Sequence, residues 1–276
     1  MPRALACVLA LASAIACTPA AAEEIRGQPN PRVAAALDIL RTDIRVEQGW
    51  ALFSMELRGA PGGGGARPAR AARGARPEER KIVAYIWPIS IDPSAVGFER
   101  GSGSLALAVV AHPDFDDTPL FDENADANPD NDGASWHVHW LVLVPDDGCG
   151  RGALRVRDFP PAPPGAPTAP GTPERPRPAL PRTWPGLPVL IDSPGYSPRV
   201  AGNTIEVRVP FADLAVLRGA RFDGFTAELR LAAPGTVPLL CVAPPIDSAS
   251  GNLSLPGVII TLDATAGAIT WKPRTQ

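Results

Sequence analysis

Apolar and polar residues alternate along most of this chain, which is the pattern of β-strands with one buried face. Turn-forming pairs such as Gly202-Asn203 and Asp223-Gly224 separate the alternating segments. Many short strands without helical segments between them predict an all-β fold, an antiparallel β-sandwich of about ten strands. The predicted strands cover residues 44–57, 82–91, 105–111, 136–144, 153–157, 204–209, 225–231, 237–242, 258–262 and 268–271.

One segment near the N-terminus has a helical pattern instead. Asn30-Pro31 resembles an N-cap followed by proline at the first helical position, and Val33, Leu37 and Leu40 recur at helical spacing. This pattern predicts one short N-terminal helix. Residues 37–44 fit the start of a strand equally well, which leaves a second interpretation open.

The first residues have the features of a secretory signal peptide. A basic residue precedes an apolar run over residues 4–16, and Ala20-Ala21-Ala22 offers a cleavage site. This assigns residues 1–22 to the signal and predicts a periplasmic or secreted protein. The residues before Cys17 loosely resemble a bacterial lipoprotein cleavage box, so a lipid anchor at Cys17 is the less favoured alternative. The chain has no second long apolar stretch, which argues against an integral membrane span.

Two low-complexity stretches interrupt the rest of the chain. Residues 59–80 are rich in glycine, alanine and arginine, and residues 160–188 are rich in proline. Neither has enough apolar side chains to offset the entropy of ordering the backbone. We therefore predict a single β-sandwich domain over residues 23–276 with two disordered insertions. In the alternative, residues 160–188 link two subdomains.

Two cysteines remain outside the signal, Cys149 and Cys241. A pair of cysteines in an exported chain usually forms a disulfide, and this one would tie the two sides of the proline-rich stretch together. Two buried free thiols are the alternative.

The segment over residues 114–132 contains eight carboxylates and neither lysine nor arginine, in a chain of net charge −3. Its side-chain oxygens fall largely at alternate positions, which suits a chain that curls around a hard cation. The segment is not an EF-hand loop, because the required glycine and glutamate are replaced by Ala127 and Gly133. Residues 126–133 resemble the aspartate-rich calcium loops of thrombospondin type 3 repeats. We therefore predict a Ca²⁺ site formed by Asp122, Asn124, Asp126, Asn128, Asp130 and Asp132, with a solvated acidic loop as the alternative.

All three histidines of the chain flank this acidic segment. His112 precedes it, and His137 and His139 follow it in a predicted strand. Strand alternation places His137 and His139 on one face, predicted to lie nearer to solvent, and Trp136 and Trp140 on the buried face. Two imidazoles at this spacing can chelate Zn²⁺ or Cu²⁺, and His112 can join them if the flanking strands pair. The alternative is a solvated strand face without a metal.

Other functional classes have less support in the sequence. No catalytic signature is present, so a binding or structural role is predicted rather than an enzyme. The near-neutral charge, without a basic stripe, argues against nucleic acid as a partner. Trp87, Trp184 and Trp271 lie beside proline or turn residues, where exposed rings serve as sugar platforms in carbohydrate-binding modules. Met55 lies in a predicted strand and is interpreted as a core residue rather than a haem ligand.

Overall fold

The computed structural model describes residues 23–63, 82–112, 127, 135–158, 189–231, 240–251, 258–261 and 270–273. Its strands, in chain order, are β1 (Glu23–Arg26), β2 (Ile39–Glu47), β3 (Trp50–Leu57), β4 (Ile82–Ile89), β5 (Ser104–Val110), β6 (His137–Pro145), β7 (Leu154–Val156), β8 (Ile191–Asp192), β9 (Arg199–Ala201), β10 (Thr204–Val209), β11 (Phe225–Leu231), β12 (Leu240–Val242), β13 (Asp247–Ser248), β14 (Val258–Thr261) and β15 (Thr270–Pro273). Short 3₁₀ turns cover Pro61–Gly63, Pro93–Val96, Asp147–Cys149 and Leu214–Leu217.

The strands form two main antiparallel layers. A five-stranded open sheet has the order β1-β2-β3-β10-β9. The second layer has the order β12-β7-β6-β5-β4-β11, and pairing of β11 with β12 closes these six strands into a barrel. Strand β13 adds to β11, β8 adds to β6, and β14 and β15 pair separately. The predicted all-β, antiparallel, sandwich-like fold is confirmed, with a closed barrel as one of its layers.

The interface between the open sheet and the barrel is a core of large side chains. Phe53 of β3 packs edge-on against Trp87 of β4 and Trp140 of β6, with ring centroids 6.2 Å apart in each pair. All three side chains are almost fully buried, and so is Met55. This sandwich core covers the outer wall of β4, β5 and β6.

The interior of the barrel is a second, separate core. It contains residues from all six barrel strands, and alanine is frequent among them, as at Ala84, Ala106, Ala108 and Ala227. A six-stranded barrel is narrow, so small inward-facing side chains are needed to fill it without overpacking.

A disulfide joins Cys149 to Cys241, as the sequence predicts, with a Cα–Cα distance of 5.5 Å. Cys149 lies in the turn after β6, and Cys241 lies in β12, which pairs with both β7 and β11. The bond therefore ties the strand that closes the barrel to the turn that precedes β7.

The prediction of an N-terminal helix is wrong. Residues 31–37 form turns, and the described residues contain no helix of seven or more residues. Tertiary donors take the carbonyls that a helix would use: Gly59 N–H binds Ala35 O at 2.7 Å, the Tyr85 hydroxyl binds Ala36 O at 3.0 Å, and the Thr226 hydroxyl binds Leu37 O at 2.8 Å. The alternative of a strand in this region agrees with β2.

The predicted strand over residues 44–57 is two strands instead. Gln48 and Gly49 adopt positive φ values of 50° and 84°, which makes a tight turn between β2 and β3. The two strands pair as a hairpin with Glu47 opposite Trp50. Within the described part of the chain, no helix is long and apolar enough to span a membrane.

Candidate metal centre

The pairing of β5 with β6 brings the three histidines together. In this antiparallel pair Ala108 lies opposite His139 and Val110 lies opposite His137. His112 follows Val110 by two residues, so alternation directs it to the same side as Ala108 and Val110. That side is the barrel interior, because Ala108 and Val110 belong to the barrel core. The centre therefore lies at the end of the barrel where β5 ends and β6 begins.

The three imidazoles are in mutual contact. The Nε2 atoms of His112 and His137 are 3.0 Å apart, which is hydrogen-bonding distance. Ring centroids are 4.7 Å apart for His112 and His137, 4.8 Å for His137 and His139, and 6.0 Å for His112 and His139, whose rings are nearly parallel. One potential ligand atom from each histidine lies within 4.8 Å of the other two. A tetrahedral Zn²⁺ with ordinary Zn–N bonds separates its ligand nitrogens by about 3.4 Å, so small ring movements would complete a three-nitrogen site.

Polar groups lie against the Nδ1 atoms of two of these rings. The Nδ1 atom of His137 is 3.1 Å from the Ser135 carbonyl oxygen, and the Nδ1 atom of His139 is 3.0 Å from the Ser193 hydroxyl. Metal-binding histidines commonly use their second ring nitrogen in this way, because the hydrogen bond fixes both the tautomer and the ring orientation.

The centre is enclosed by the protein. His112, His137 and His139 are 6%, 0% and 2% exposed, so the prediction that His137 and His139 face towards solvent is wrong. The two histidines do share a face, with Trp140 buried on the opposite one and Trp136 half-buried. Alternation assigns residues to faces, but whether a face is wet depends on barrel closure.

Burial also sets the charge state of the centre. Loss of solvation, with a smaller contribution from the neighbouring His112, lowers the pKa of His139 from 6.5 to about 3. The ring is therefore neutral at physiological pH. Neutral imidazole is the form that binds a metal ion.

The same facts argue against a serine nucleophile at this position. Ser193 contacts His139, but its side chain is only 1% exposed, so a substrate has no direct access to the hydroxyl. A histidine with a pKa near 3 is also a weak general base, since the most effective bases titrate close to the working pH.

The predicted calcium ligands lie outside the described residues. Asp122, Asn124, Asp126, Asn128, Asp130 and Asp132 all belong to this part of the chain, which runs between His112 and Ser135. Calcium binding by these oxygens therefore stays a prediction.

The proposed sugar platforms receive no support from Trp87, which is fully buried in the sandwich core and cannot present a ring to a ligand. Its indole N–H binds the Thr42 hydroxyl at 2.8 Å. The side chains of Trp184 and Trp271 lie outside the description.

Sequence reasoning missed Ser193 and Asp192. They are brought to His139 by β8, whose Asp192 lies opposite Trp140 in β6. A two-residue strand leaves no periodic signal in a sequence, so nothing pointed to this contact. Comparisons with family models, with curated proteins and with solved structures find no match.

Proposed function

We propose that this protein is an exported metal-binding protein that holds a Zn²⁺ or Cu²⁺ ion between His112, His137 and His139. The observation that carries the proposal is the convergence of one nitrogen from each of the three histidines within 4.8 Å, inside the end of the barrel. The chain contains only these three histidines, and all three lie in the cluster.

The donor set favours borderline transition metals. Imidazole nitrogen suits Zn²⁺ and Cu²⁺, whereas Ca²⁺ and Mg²⁺ require oxygen ligands. Cys149 and Cys241 are joined to each other, so neither supplies a thiolate to the site. Three histidines leave a tetrahedral ion with one further position, which a water molecule or another ligand would fill.

The energetics of burial support a function for the cluster. Polar rings enclosed in a barrel contribute less to stability than apolar side chains of similar size, because they lose their hydration. Alanine, valine, isoleucine and leucine fill much of the barrel core around them. Local departures from good packing chemistry of this kind are typical of functional sites.

Export rests on two features. The disulfide is typical of an oxidising compartment, and residues 1–22 have the pattern of a secretory signal. The periplasm or the cell exterior is therefore the proposed location.

Metal binding is tested with the mature protein, free of any affinity tag that contains histidine. Native mass spectrometry and chelator competition should show one Zn²⁺ or Cu²⁺ per chain. A hundredfold excess of metal over the dissociation constant should stabilise the fold by about 2.7 kcal/mol. His137→Gln and His139→Gln should abolish tight binding.

The matched control is the double variant Asp126→Ala/Asp130→Ala, which removes two carboxylates from the acidic segment and keeps every histidine. It should bind Zn²⁺ as tightly as the wild type. Loss of Zn²⁺ binding in this variant, together with retention in the histidine variants, would overturn the proposal. Should the histidine variants fail to fold, NMR of ¹⁵N-histidine-labelled wild type decides, because every ring signal comes from the cluster and should shift when Zn²⁺ is added.

A further inference from the structure

Ser193 occupies a particular position relative to the histidine cluster. It directly follows β8, which pairs with the edge of β6 so that Trp140 lies opposite Asp192. This pairing places the Ser193 hydroxyl 3.0 Å from Nδ1 of His139, and the serine is 1% exposed. The backbone of Asp192 also accepts a hydrogen bond from the His139 ring. The end of a two-residue strand thus brings a backbone carbonyl and a hydroxyl to this ring.

His137 shows what such an acceptor does. Its Nδ1 atom faces the Ser135 carbonyl oxygen at 3.1 Å, and a carbonyl can only accept a hydrogen bond. When the His137 ring is neutral, its Nδ1 atom therefore carries the proton. Its Nε2 atom, which lies 3.0 Å from Nε2 of His112, keeps a lone pair directed into the cluster.

We propose that Ser193 is the positioning residue of the metal centre. Its hydroxyl accepts a hydrogen bond from the Nδ1–H group of His139, so that this histidine binds the ion through Nε2. The inference rests on the proposed function. A neutral imidazole has one proton, so a ring that coordinates through Nε2 must hold that proton on Nδ1. Ser193 stabilises this tautomer and fixes the ring plane, while the rigid strand pairing holds Ser193 in place.

The variant Ser193→Ala removes the hydroxyl at Nδ1 of His139 and leaves the three ligands and the Asp192 carbonyl in place. Loss of such an outer partner of a metal-bound histidine usually weakens metal binding by about 10- to 100-fold. The matched control is Ser102→Ala, since Ser102 is also a buried serine but precedes β5 at the end opposite to His112. Chelator competition should show the weakening of Zn²⁺ binding in Ser193→Ala and unchanged binding in Ser102→Ala.

A tautomer measurement separates positioning from a general loss of structure. In ¹⁵N-histidine NMR of the metal-free wild type, Nδ1 of His139 should have the shift of a protonated nitrogen and Nε2 that of an unprotonated one. Ser193→Ala should move both shifts towards the average of the two tautomers, and Ser193→Thr, which keeps the hydroxyl, should restore them.

The outcomes distinguish this inference from the proposed function. If the wild type binds neither Zn²⁺ nor Cu²⁺, both the proposed function and the role of Ser193 are wrong. If the wild type binds Zn²⁺ and the Ser193→Ala variant binds it as tightly, only the proposed role of Ser193 is wrong. Coordination of the ion by Nδ1 of His139, visible from the same nitrogen shifts, also overturns it.

Discussion

Strand β6 has two faces with opposite chemistry. One presents Val138, Trp140 and Val142 to the sandwich core, and the other presents His137 and His139 to the end of the barrel. Both faces are almost fully buried. They therefore differ in what they bury rather than in how much they bury.

The sandwich face contributes stability through area and shape. Burying a large apolar side chain contributes about 1.5–3 kcal/mol, and edge-to-face aromatic pairs add about 0.5–1.5 kcal/mol. Phe53 makes two such contacts, with Trp87 and Trp140. On the other face Leu141 and Leu143 pack in the barrel core, but His137 and His139 offer no comparable gain, because their rings are buried and lose their hydration. One strand thus holds the molecule together with one face and positions the candidate metal ligands with the other.

Removing the disulfide should have the largest effect on stability. Cys149 and Cys241 are 92 residues apart, and the chain-entropy model assigns about 4.6 kcal/mol to closing a loop of that length. The double variant Cys149→Ala/Cys241→Ala should unfold at a lower urea concentration by a corresponding amount. Wild-type protein treated with a reductant should behave in the same way.

The disulfide should also affect the histidine face of β6, because it secures β12, the strand that closes the barrel. Zn²⁺ affinity should fall along with stability in the double variant. Equal stability with and without the bond would show that strand pairing alone closes the barrel.

Truncation of Phe53 tests whether the two faces are independent. Phe53→Ala removes both aromatic contacts and leaves a cavity in the sandwich core, at a cost of about 3–5 kcal/mol. Zn²⁺ affinity under fully native conditions should stay close to that of the wild type, because the barrel interior is untouched. His137→Gln should show the reverse, with a large loss of affinity.

The milder variant Phe53→Leu gives the same test if Phe53→Ala does not fold. A parallel fall in stability and Zn²⁺ affinity in either Phe53 variant would mean that the wall between the two cores transmits strain.

The sequence predicts the strands that have a clear local pattern, but it does not predict how distant strands pair. Where one face of a strand is apolar and turns are well marked, as in β10 and β11, the predicted bounds 204–209 and 225–231 agree with the structure. The hairpin of β2 and β3 was missed because Gln48 is an unusual residue for a positive φ. Barrel closure depends on pairing β12 with both β7 and β11, and local periodicity carries no information about such distant partners.

Part of the candidate metal centre can likewise be predicted from the sequence, and part of it cannot. The shared face of His137 and His139 follows from alternation, and the position of His112 follows from the pairing of β5 with β6. Ser193 and His139 are 54 residues apart in the sequence, and the proline-rich stretch lies between them. Only the three-dimensional fold brings those two residues together.

The smallest predicted effect concerns the pH dependence of stability in the metal-free protein. In the fold, His139 is packed against His112, His137, Ser193 and the backbone of Asp192, and its pKa is lowered from 6.5 to about 3. Below pH 6.5 the His139 imidazole is therefore protonated in the unfolded chain but stays neutral in the folded chain. The contribution of the neutral ring is fully present above pH 6.5 and is lost as the pH falls towards 3. Between pH 7 and pH 5 the loss should be about 2 kcal/mol.

The comparison of wild type with His139→Gln isolates this contribution. Carboxylates titrate in both proteins, so their effect cancels in the difference, whereas glutamine has no proton to gain. Urea unfolding of the two chelator-treated proteins at pH 7 and pH 5 should show the steeper loss of stability in the wild type. Parallel pH profiles would mean that water reaches the histidine cluster and that the centre is open to solvent. A steeper profile in the wild type would show that the barrel holds an imidazole neutral, and thus ready for a metal ion, at a cost in stability that the sandwich face of the same strand offsets.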